Sequence, residues 1–287
     1  MLISLGITDL VHFDFMDPPP SETLIRALEQ LYALGSLNDE GQLTKLGRRM
    51  AEFPVEPMLA KCILASEEFK CVDQILTACS MLSVGGSVFF RPKEKKVHAD
   101  NAHKNLHRPG GDHLTLINVF YEWQETGFRG QWCDENFIDQ RSMKKARDIK
   151  DQLTELCKRV EIDVVDKAFS IFEDDMGTNV RKAITAGFFY NTSLLQKSGN
   201  YRTCKNSHSV KLHPSSTLAE VLPKWVIYHE LVFTSSEYMR QVIEVDKEWL
   251  MEIAPHYYKE ADLKEEPQEP ERKIPAIAEH VKQRRKH

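Results

Sequence analysis

Basic and planar side chains lie close together in two parts of the chain. The first basic cluster follows Phe89 and Phe90 and consists of Arg91, Lys93, Lys95 and Lys96. The second stands at the start of a predicted helix, shortly after Trp132 and Asn136, and consists of Arg141, Lys144, Lys145 and Arg147. Single-stranded nucleic acid is bound by positive charge along the phosphates together with planar side chains on which bases stack. The pattern leaves two interpretations equally open: contact with RNA, or two runs that are only solvated, charged faces.

The spacing indicates how some of these side chains could share a groove. Arg141 and Lys145 are four residues apart and lie on one helix face, and Asn136 lies about one turn earlier. A third candidate group lies on a predicted barrel strand and consists of Tyr201, Arg202 and Thr203, with Lys205 beside it. We expect the two groups to line opposite sides of a groove that follows an RNA backbone. The alternative for Tyr201 is an ordinary aromatic residue of the barrel wall.

Other chemistry finds little support in the sequence. It contains no GxxxxGK[ST] phosphate loop, no GxGxxG and no GxSxG. Four histidines lie close in sequence: His98, His103, His107 and His113. No cysteine or suitably spaced carboxylate completes a zinc site with them, so a solvated or RNA-facing loop is favoured over metal binding. No nucleophile, base and orienting group converge, which disfavours an independent enzyme.

Composition sets the class of protein. The chain has 287 residues, of which 41% are hydrophobic and 28% charged, as in globular proteins. This length predicts about two domains, or three small ones. No apolar run approaches the roughly 20 residues of a membrane span, no secretory signal opens the chain, and six cysteines form no framework, so we expect an intracellular protein with reduced thiols. The net charge of -5 argues against binding nucleic acid by bulk charge, but not against a local basic groove.

The first 54 residues predict a winged-helix type of unit. Three prolines at positions 18–20 introduce a helix whose apolar residues recur at spacings of three and four as far as Gly35. Turn residues 38–41 then separate Leu37 from Leu43, which predicts a small hairpin, and a second helix at 44–53 is closed by Pro54.

The rest of the chain changes from helices to strands. Residues 55–165 are predicted to form a helical bundle, with the longest helix at 142–160. After an acidic linker at 173–175 comes a possible short helix at 181–189, and then five short strands, predicted at 193–196, 201–203, 209–212, 224–233 and 239–245. Five such strands within residues 166–258 predict an OB-fold barrel, and residues 259–287 predict a disordered charged tail.

Several blocks of sequence resemble DEAH-box RNA helicases. The blocks are, in chain order, Leu5-Gly6-Ile7-Thr8-Asp9-Leu10, Phe13-Asp14-Phe15-Met16-Asp17-Pro18, Met50-Ala51-Glu52-Phe53-Pro54, Gly110-Gly111-Asp112-His113-Leu114, Trp132-Cys133, Asn136-Phe137, Arg141-Ser142, His213-Pro214-Ser215-Ser216 and Tyr228-His229-Glu230-Leu231. They follow the order of the family's C-terminal winged-helix, ratchet and OB-fold domains as far as Tyr258. The chain looks most like the spliceosomal branch, and within it like the helicase that activates the spliceosome before the first splicing step.

The resemblance implies a function. It implies that two RecA-like motor domains precede Met1, that ATP and Mg²⁺ bind there, and that this chain has no cofactor and does not hydrolyse ATP. It further implies a nuclear protein that binds single-stranded pre-mRNA and other spliceosomal proteins. The RNA-binding residues are then expected to be Trp132, Asn136, Arg141, Ser142, Lys145, Tyr201, Arg202 and Thr203. One departure is the loop at 128–131, where relatives more often carry serine or asparagine before the Trp-Cys pair.

A second class of function stays open beside RNA binding. The family's C-terminal domains receive G-patch activator proteins, so the chain could serve as an interaction platform without significant RNA affinity of its own. The apolar residues expected to form a groove for a partner helix are Leu10, Phe13, Phe15, Leu24, Leu28 and Leu31.

Overall fold

The computed structural model describes residues 2–7, 9–10, 12–85, 87–164, 174–260 and 262–263. Helices dominate its first two thirds, and a small closed β-barrel follows, so the predicted fold class is confirmed. No helix in these ranges is long and apolar enough to cross a membrane. Most of the predicted disordered tail lies outside the described residues.

The N-terminal unit contains two helices, α1 (Ser21–Ala33) and α2 (Lys45–Ala51). Between them the chain reverses, and Leu37 pairs with Leu43 in an antiparallel bridge, as the turn residues predict. Thr44 caps α2, because its Oγ1 accepts a hydrogen bond of 3.0 Å from the backbone N–H of Gly47.

Six helices form the middle of the molecule: α3 (Pro57–Glu68), α4 (Val72–Leu82), α5 (Lys96–Leu106), α6 (Asp112–Glu125), α7 (Gly130–Glu135) and α8 (Gln140–Arg159). Residues 72–81 of α4 are all buried, because α3, α6 and α8 pack around this helix. A buried ion pair fixes α8 to α4, with 2.8 Å between Lys150 Nζ and Asp73 Oδ1.

The next helix, α9 (Asp174–Phe188), belongs to the same hydrophobic core as α3. Gly187 allows the two helices to approach, because a Cβ at this position would overlap the carbonyl oxygen of Met58 and the sulfur of Cys62. The helix predicted at 181–189 begins earlier than expected, at Asp174.

The barrel has five strands: β1 (Thr192–Leu195), β2 (Tyr201–Thr203), β3 (Ser209–Leu212), β4 (Trp225–Phe233) and β5 (Glu237–Glu244). They close in the order β1-β2-β3-β5-β4, with a parallel pair only between β3 and β5. Helix α10 (Lys247–Ile253) follows, and His256 Nε2 then lies 2.8 Å from the carbonyl oxygen of Ala33 at the end of α1. The segment that follows α10 therefore contacts the end of α1.

Candidate nucleic-acid interface

Residues 110–112 join the helical part to the barrel. The carbonyl oxygen of Gly110 accepts a hydrogen bond of 2.9 Å from the backbone N–H of Glu244, the last residue of β5. Gly111 has a φ of +130°, and a Cβ there would lie 2.5 Å from the carbonyl oxygen of Val242. Glycine is therefore required at position 111 both by backbone conformation and by the close approach of the strand.

Asp112, the first residue of α6, makes this joint specific. Its Oδ1 accepts hydrogen bonds from the backbone N–H and the hydroxyl of Thr217, at 2.7 and 2.8 Å. Its Oδ2 accepts a bond of 2.8 Å from the backbone N–H of Val242. One carboxylate thus holds both β5 and the loop after β3 against the start of α6.

A cavity of about 580 Å³ lies beside this joint, between α5 and α6 on one side and the barrel on the other. Polar side chains on the helical side include Arg91, Asp100, His103, Lys104, His107 and Asp112. Polar side chains on the barrel side include His213, Ser215, Ser216, Thr217, Glu220, Arg240 and Gln241. Apolar floor is supplied by Met81, Leu82, Val88, Phe89 and Leu116. Polar side chains outnumber apolar ones in this lining, so the cavity is suited to a charged or hydrogen-bonding ligand rather than to an apolar one.

Much of the charge around the cavity is already paired. Arg91 Nε lies 2.7 Å from Asp100 Oδ1, and Arg240 Nη1 lies 3.4 Å from a Glu230 carboxylate oxygen. Lys104, at the end of α5, is exposed. Both Asp112 oxygens accept hydrogen bonds from the barrel, so this carboxylate is not available to pair with Lys104 or the arginines. The cations that could meet a bound anion are therefore Lys104, Arg91 and Arg240.

Three imidazoles add hydrogen-bonding capacity. His103 Nε2 lies 3.1 Å from the carbonyl oxygen of Phe137, and His213 Nδ1 lies 2.7 Å from Ser215 Oγ. Burial lowers the pKa of His103, His107 and His213, so we expect neutral rings near pH 7. Among the residues that the structure describes, no three His, Cys, Asp or Glu side chains are grouped so as to hold a metal ion.

Comparison with known protein families assigns three parts of the chain. Residues 27–55 match the winged-helix form of the helicase-associated domain HA2, and residues 56–116 match its ratchet-like form. Residues 180–257 match the oligonucleotide/oligosaccharide-binding (OB) fold found beside these domains. The chain contains the C-terminal module of DEAH/RHA helicases. The proposed domain limits, 1–54, 55–165 and 166–258, reach beyond the matched residues and stay predictions.

The cavity therefore lies between the ratchet-like domain and the OB-fold of this helicase module. None of the eight RNA-binding residues named from the sequence is among the described residues that line it. The residues that do line it come from stretches about one hundred positions apart, such as α5 and the loop after β3. The sequence pointed to some of them, through the basic cluster that begins with Phe89 and Arg91, through His103 and His107, and through the blocks around Asp112 and His213 that resemble the family.

Five of the predicted RNA-binding residues lie together at α7 and the start of α8. Arg141 is exposed, whereas Trp132 is half-buried against the core of the ratchet-like domain. The Asn136 amide donates to the carbonyl oxygen of Trp132 at 2.9 Å, and Lys145 Nζ donates to that of Val84 at 3.0 Å. Ser142 is half-buried, and its backbone N–H donates to the capping carboxylate of Asp139 at 2.7 Å. Of these side chains, Arg141 is the most accessible to a phosphate.

The other three lie on β2, and the prediction for Tyr201 as an RNA-facing aromatic is wrong. Its ring is 1% exposed inside the barrel, and its hydroxyl donates to the carbonyl oxygen of Pro223 at 2.6 Å. Thr203 is also buried, and its Oγ1 accepts from the backbone N–H of His208 at 3.0 Å. Arg202 points to the other side of the strand and is half-buried. Strand β5 is bonded to the ratchet-like domain through the backbone N–H groups of Val242 and Glu244.

The residues predicted to receive a partner helix are all half-buried: Leu10, Phe13, Phe15, Leu24, Leu28 and Leu31. The rings of Phe13 and Phe15 pack edge to face at 4.7 Å between centroids. Helix α1 has no fully buried residue, and on it Ile25 and Tyr32 are 51% and 53% exposed. The apolar side of α1 is thus only partly covered by the described chain.

Proposed function

We propose that this module holds single-stranded RNA in the cavity between its ratchet-like domain and its OB-fold. In this proposal the motor domains of the same helicase bind ATP and Mg²⁺ and drive translocation, while the module retains the strand. The observation that carries the proposal is the position of the cavity. The cavity lies between the loop after β3 and strand β5 of the OB-fold on one side and Arg91 and Lys104 of the helical part on the other. Apolar side chains also line it, and positive charge beside apolar or planar groups is typical of sites for single-stranded nucleic acid.

The charges around the cavity define the expected binding. Lys104, Arg91 and Arg240 can neutralise only a few phosphates, and two of them already have carboxylate partners. We therefore expect weak binding with a salt dependence set by those few contacts. Phosphate contacts position a strand without reading bases, so affinity should vary little with sequence.

Fluorescence anisotropy of labelled oligo(U) and oligo(C) RNA with the 287-residue chain tests the proposal. Lys104→Ala and Arg240→Ala should each weaken binding to both strands and reduce the salt slope by about 1. Lys197→Ala, in the exposed turn after β1, is the matched control and should leave affinity unchanged. If the two cavity variants stay folded and bind RNA with wild-type affinity and salt slope, the strand does not lie in this cavity.

The predicted contacts of Arg141 and Arg202 are a separate part of the proposal. Replacing either by alanine in a helicase that includes the motor domains should weaken binding to unstructured RNA similarly across sequences. Arg284→Ala, near the C-terminus, is the control and should matter less. Unchanged affinity and salt slope in both folded variants would make these arginines structural.

A second candidate function is docking of a G-patch activator on the winged-helix domain. The observation that favours it is α1, whose apolar side is half-exposed along Leu24, Leu28 and Leu31. An amphipathic partner helix would cover such a face. Calorimetry with a G-patch peptide should give saturable binding that Leu28→Ser weakens and Glu29→Ser, on the exposed side, does not. Absence of binding up to hundreds of micromolar would remove this role for the chain by itself.

We further propose that the helicase remodels the spliceosome in the nucleus. The support is the resemblance of the chain as a whole, colinear as far as Tyr258, to the spliceosomal branch of the family. Immunoprecipitation of the protein from nuclear extract should recover pre-mRNA and small nuclear RNAs. Recovery of only ribosomal RNA precursors would assign the chain to another branch.

A further inference from the structure

Phe90 and Phe137 form an aromatic pair at the surface of the ratchet-like domain. Two short extended segments run antiparallel there, with Phe89 opposite Ile138, and the backbone N–H of Phe90 donates to the carbonyl oxygen of Phe137 at 3.1 Å. Ile138 is buried, and Phe89 packs against the same hydrophobic core. Consecutive side chains of an extended segment point to opposite faces, so the next residue, Phe90, points outward. Its side chain is 40% exposed, and its ring centroid lies 5.9 Å from that of Phe137.

The backbone beneath this pair is unusual. Phe137 has a φ of +55°, a conformation that bulky residues rarely adopt. Its carbonyl oxygen, which accepts the hydrogen bond from Phe90, also lies 3.1 Å from His103 Nε2. Such a conformation costs free energy and persists only where surrounding contacts fix it, and it is common at binding sites. Two contacts from separate parts of the chain therefore hold the residue whose ring lies beside Phe90.

The two segments that supply the rings are rich in positive charge. Residues 90–97 and 136–145 contain four and three lysine or arginine residues respectively, and one acidic residue each. The acidic residues are Glu94 and Asp139, and the Asp139 carboxylate already accepts a hydrogen bond of 2.7 Å from the backbone N–H of Ser142. The exposed cations are Arg91, Lys93, Lys95, Lys96, Arg141, Lys144 and Lys145. This surface therefore complements an anionic partner.

The aromatic pair also lies next to the cavity between the two domains. Phe89 and Arg91, the neighbours of Phe90 in sequence, both line that cavity, whereas Phe90 is not among the described residues that line it. A strand that leaves the cavity past Arg91 would meet the exposed ring of Phe90. Single-stranded RNA suits this surface better than an acidic peptide does, because each of its phosphates is accompanied by a flat base that can stack on an aromatic ring.

We propose that Phe90 and Phe137 form a stacking platform for one RNA base just outside the cavity. The ring of Phe90 stacks on the base, and Phe137 supports that ring edge to face, with 66° between the two ring planes. Exposed lysines of the segment that follows, such as Lys93 and Lys95, contact the neighbouring phosphates. This inference rests on the proposed function, because it requires the module to bind single-stranded RNA, but it concerns another part of the strand.

The test is fluorescence anisotropy of the 287-residue chain with labelled oligo(U) and with an abasic oligoribonucleotide of the same length. The abasic strand keeps the riboses and phosphates and lacks the bases. The wild type should bind oligo(U) about fivefold more tightly than the abasic strand, the lower end of the range for one stacked base. The salt slopes of the two strands should be equal, because their phosphate contacts are the same.

Variants then assign the preference to Phe90. Phe90→Leu keeps an apolar side chain but removes the flat ring, so it should bring the ratio of the two affinities close to one by weakening only the binding of oligo(U). Phe90→Tyr keeps the ring and should bind both strands as the wild type does. Phe233→Leu is the matched control, because Phe233 is 81% exposed at the end of β4, and it should change neither affinity.

The outcomes separate this inference from the proposed function. If Phe90→Leu stays folded and keeps the wild-type ratio, the inference is wrong, while the cavity proposal stands as long as Lys104→Ala weakens binding. If Phe90→Leu removes the preference and the cavity variants have no effect, the platform stands and the strand does not lie in the cavity.

Two further outcomes overturn the inference. In the first, Phe90→Leu weakens binding of a labelled peptide of glutamate and leucine and leaves both RNA affinities unchanged, which would assign the surface to a protein partner. In the second, the wild type binds neither RNA strand, and then the proposed function fails as well.

Discussion

Removing the Asp112 carboxylate should weaken the joint between the OB-fold and the ratchet-like domain. In Asp112→Ala three donors lose their acceptor: the backbone N–H and hydroxyl of Thr217 and the backbone N–H of Val242. Val242 is 0% exposed, so its N–H cannot turn to water without local opening. Thr217 is half-buried, so water can replace part of what it loses.

The expected cost follows from these exposures. A buried donor left without a partner costs about 1–3 kcal/mol, so the Val242 N–H accounts for about 2 kcal/mol. The two Thr217 groups together add about 1 kcal/mol, because solvent satisfies them in part. We therefore expect Asp112→Ala to lower the free energy of unfolding by about 3 kcal/mol, a large share of the 5–15 kcal/mol typical of folded proteins.

Urea unfolding followed by tryptophan fluorescence measures this change. Asp148→Ala is the matched control, since its side chain is 63% exposed and lies 3.7 Å from Arg147, and it should change stability by less than about 0.5 kcal/mol. Thr217→Val should cost about 1 kcal/mol, and less in the Asp112→Ala background. The reasoning is refuted if Asp112→Ala costs no more than Asp148→Ala.

Further perturbations test other parts of the fold. Burial lowers the pKa of His113 to about 3, so as pH falls below about 6.5 the unfolded state takes up a proton before the folded state does. The free energy of unfolding should therefore fall between about pH 6.5 and 3 by up to about 1.4 kcal/mol per pH unit. Urea midpoints measured at pH 7 and pH 5 should differ less in His113→Leu than in the wild type. Gly187→Ala should cost about 2–3 kcal/mol, because the new methyl overlaps the Met58 carbonyl oxygen, and thermal unfolding would show it. Asp73→Ala leaves Lys150 buried without its ion pair and should cost about 3 kcal/mol, measured in the same way. Purified chain, with or without RNA, should show no ATP turnover above a buffer blank.

Local structure could be predicted from the sequence because it depends on local patterns. The strands β2 and β3 have the predicted bounds, since turn residues mark both ends of each. Helix α8 lies within two residues of its prediction, because its apolar residues recur at spacings of three and four. The sequence does not predict the early start of α9, because its first residues, Asp174 and Asp175, belong to an acidic run that is typical of a linker.

The face of a strand was harder to predict than its bounds. Tyr201 and Thr203 alternate with Arg202, which fits either side of a barrel wall equally well. The pairing of β1 with β4 closes the barrel and so determines which side of β2 faces its interior. This pairing joins residues more than thirty positions apart in the chain. An aromatic residue beside an arginine therefore suggested a ligand face, whereas the ring fills the barrel interior.

The cavity itself could not be predicted because it depends on the joint between two domains. Its walls meet through the bonds of Asp112 to Thr217 and Val242, partners separated by 105 and 130 positions in sequence. Side chains that seem unrelated along the chain, such as Lys104 and Arg240, thus come to one site. The chemical properties of this site can therefore be inferred only from the folded structure, which brings these residues together.

The joint also determines how a bound strand would be held. The Gly110 carbonyl oxygen and the Asp112 carboxylate accept hydrogen bonds from backbone N–H groups of β5. Strand β5 also contributes Arg240 and Gln241 to the lining of the cavity. Because these bonds are short and largely shielded, the two walls cannot separate without losing about 3 kcal/mol. We therefore expect the ratchet-like domain and the OB-fold to keep their mutual geometry during a helicase cycle. If the module holds RNA as proposed, changes in its grip would then arise where it meets the motor domains and not within the cavity.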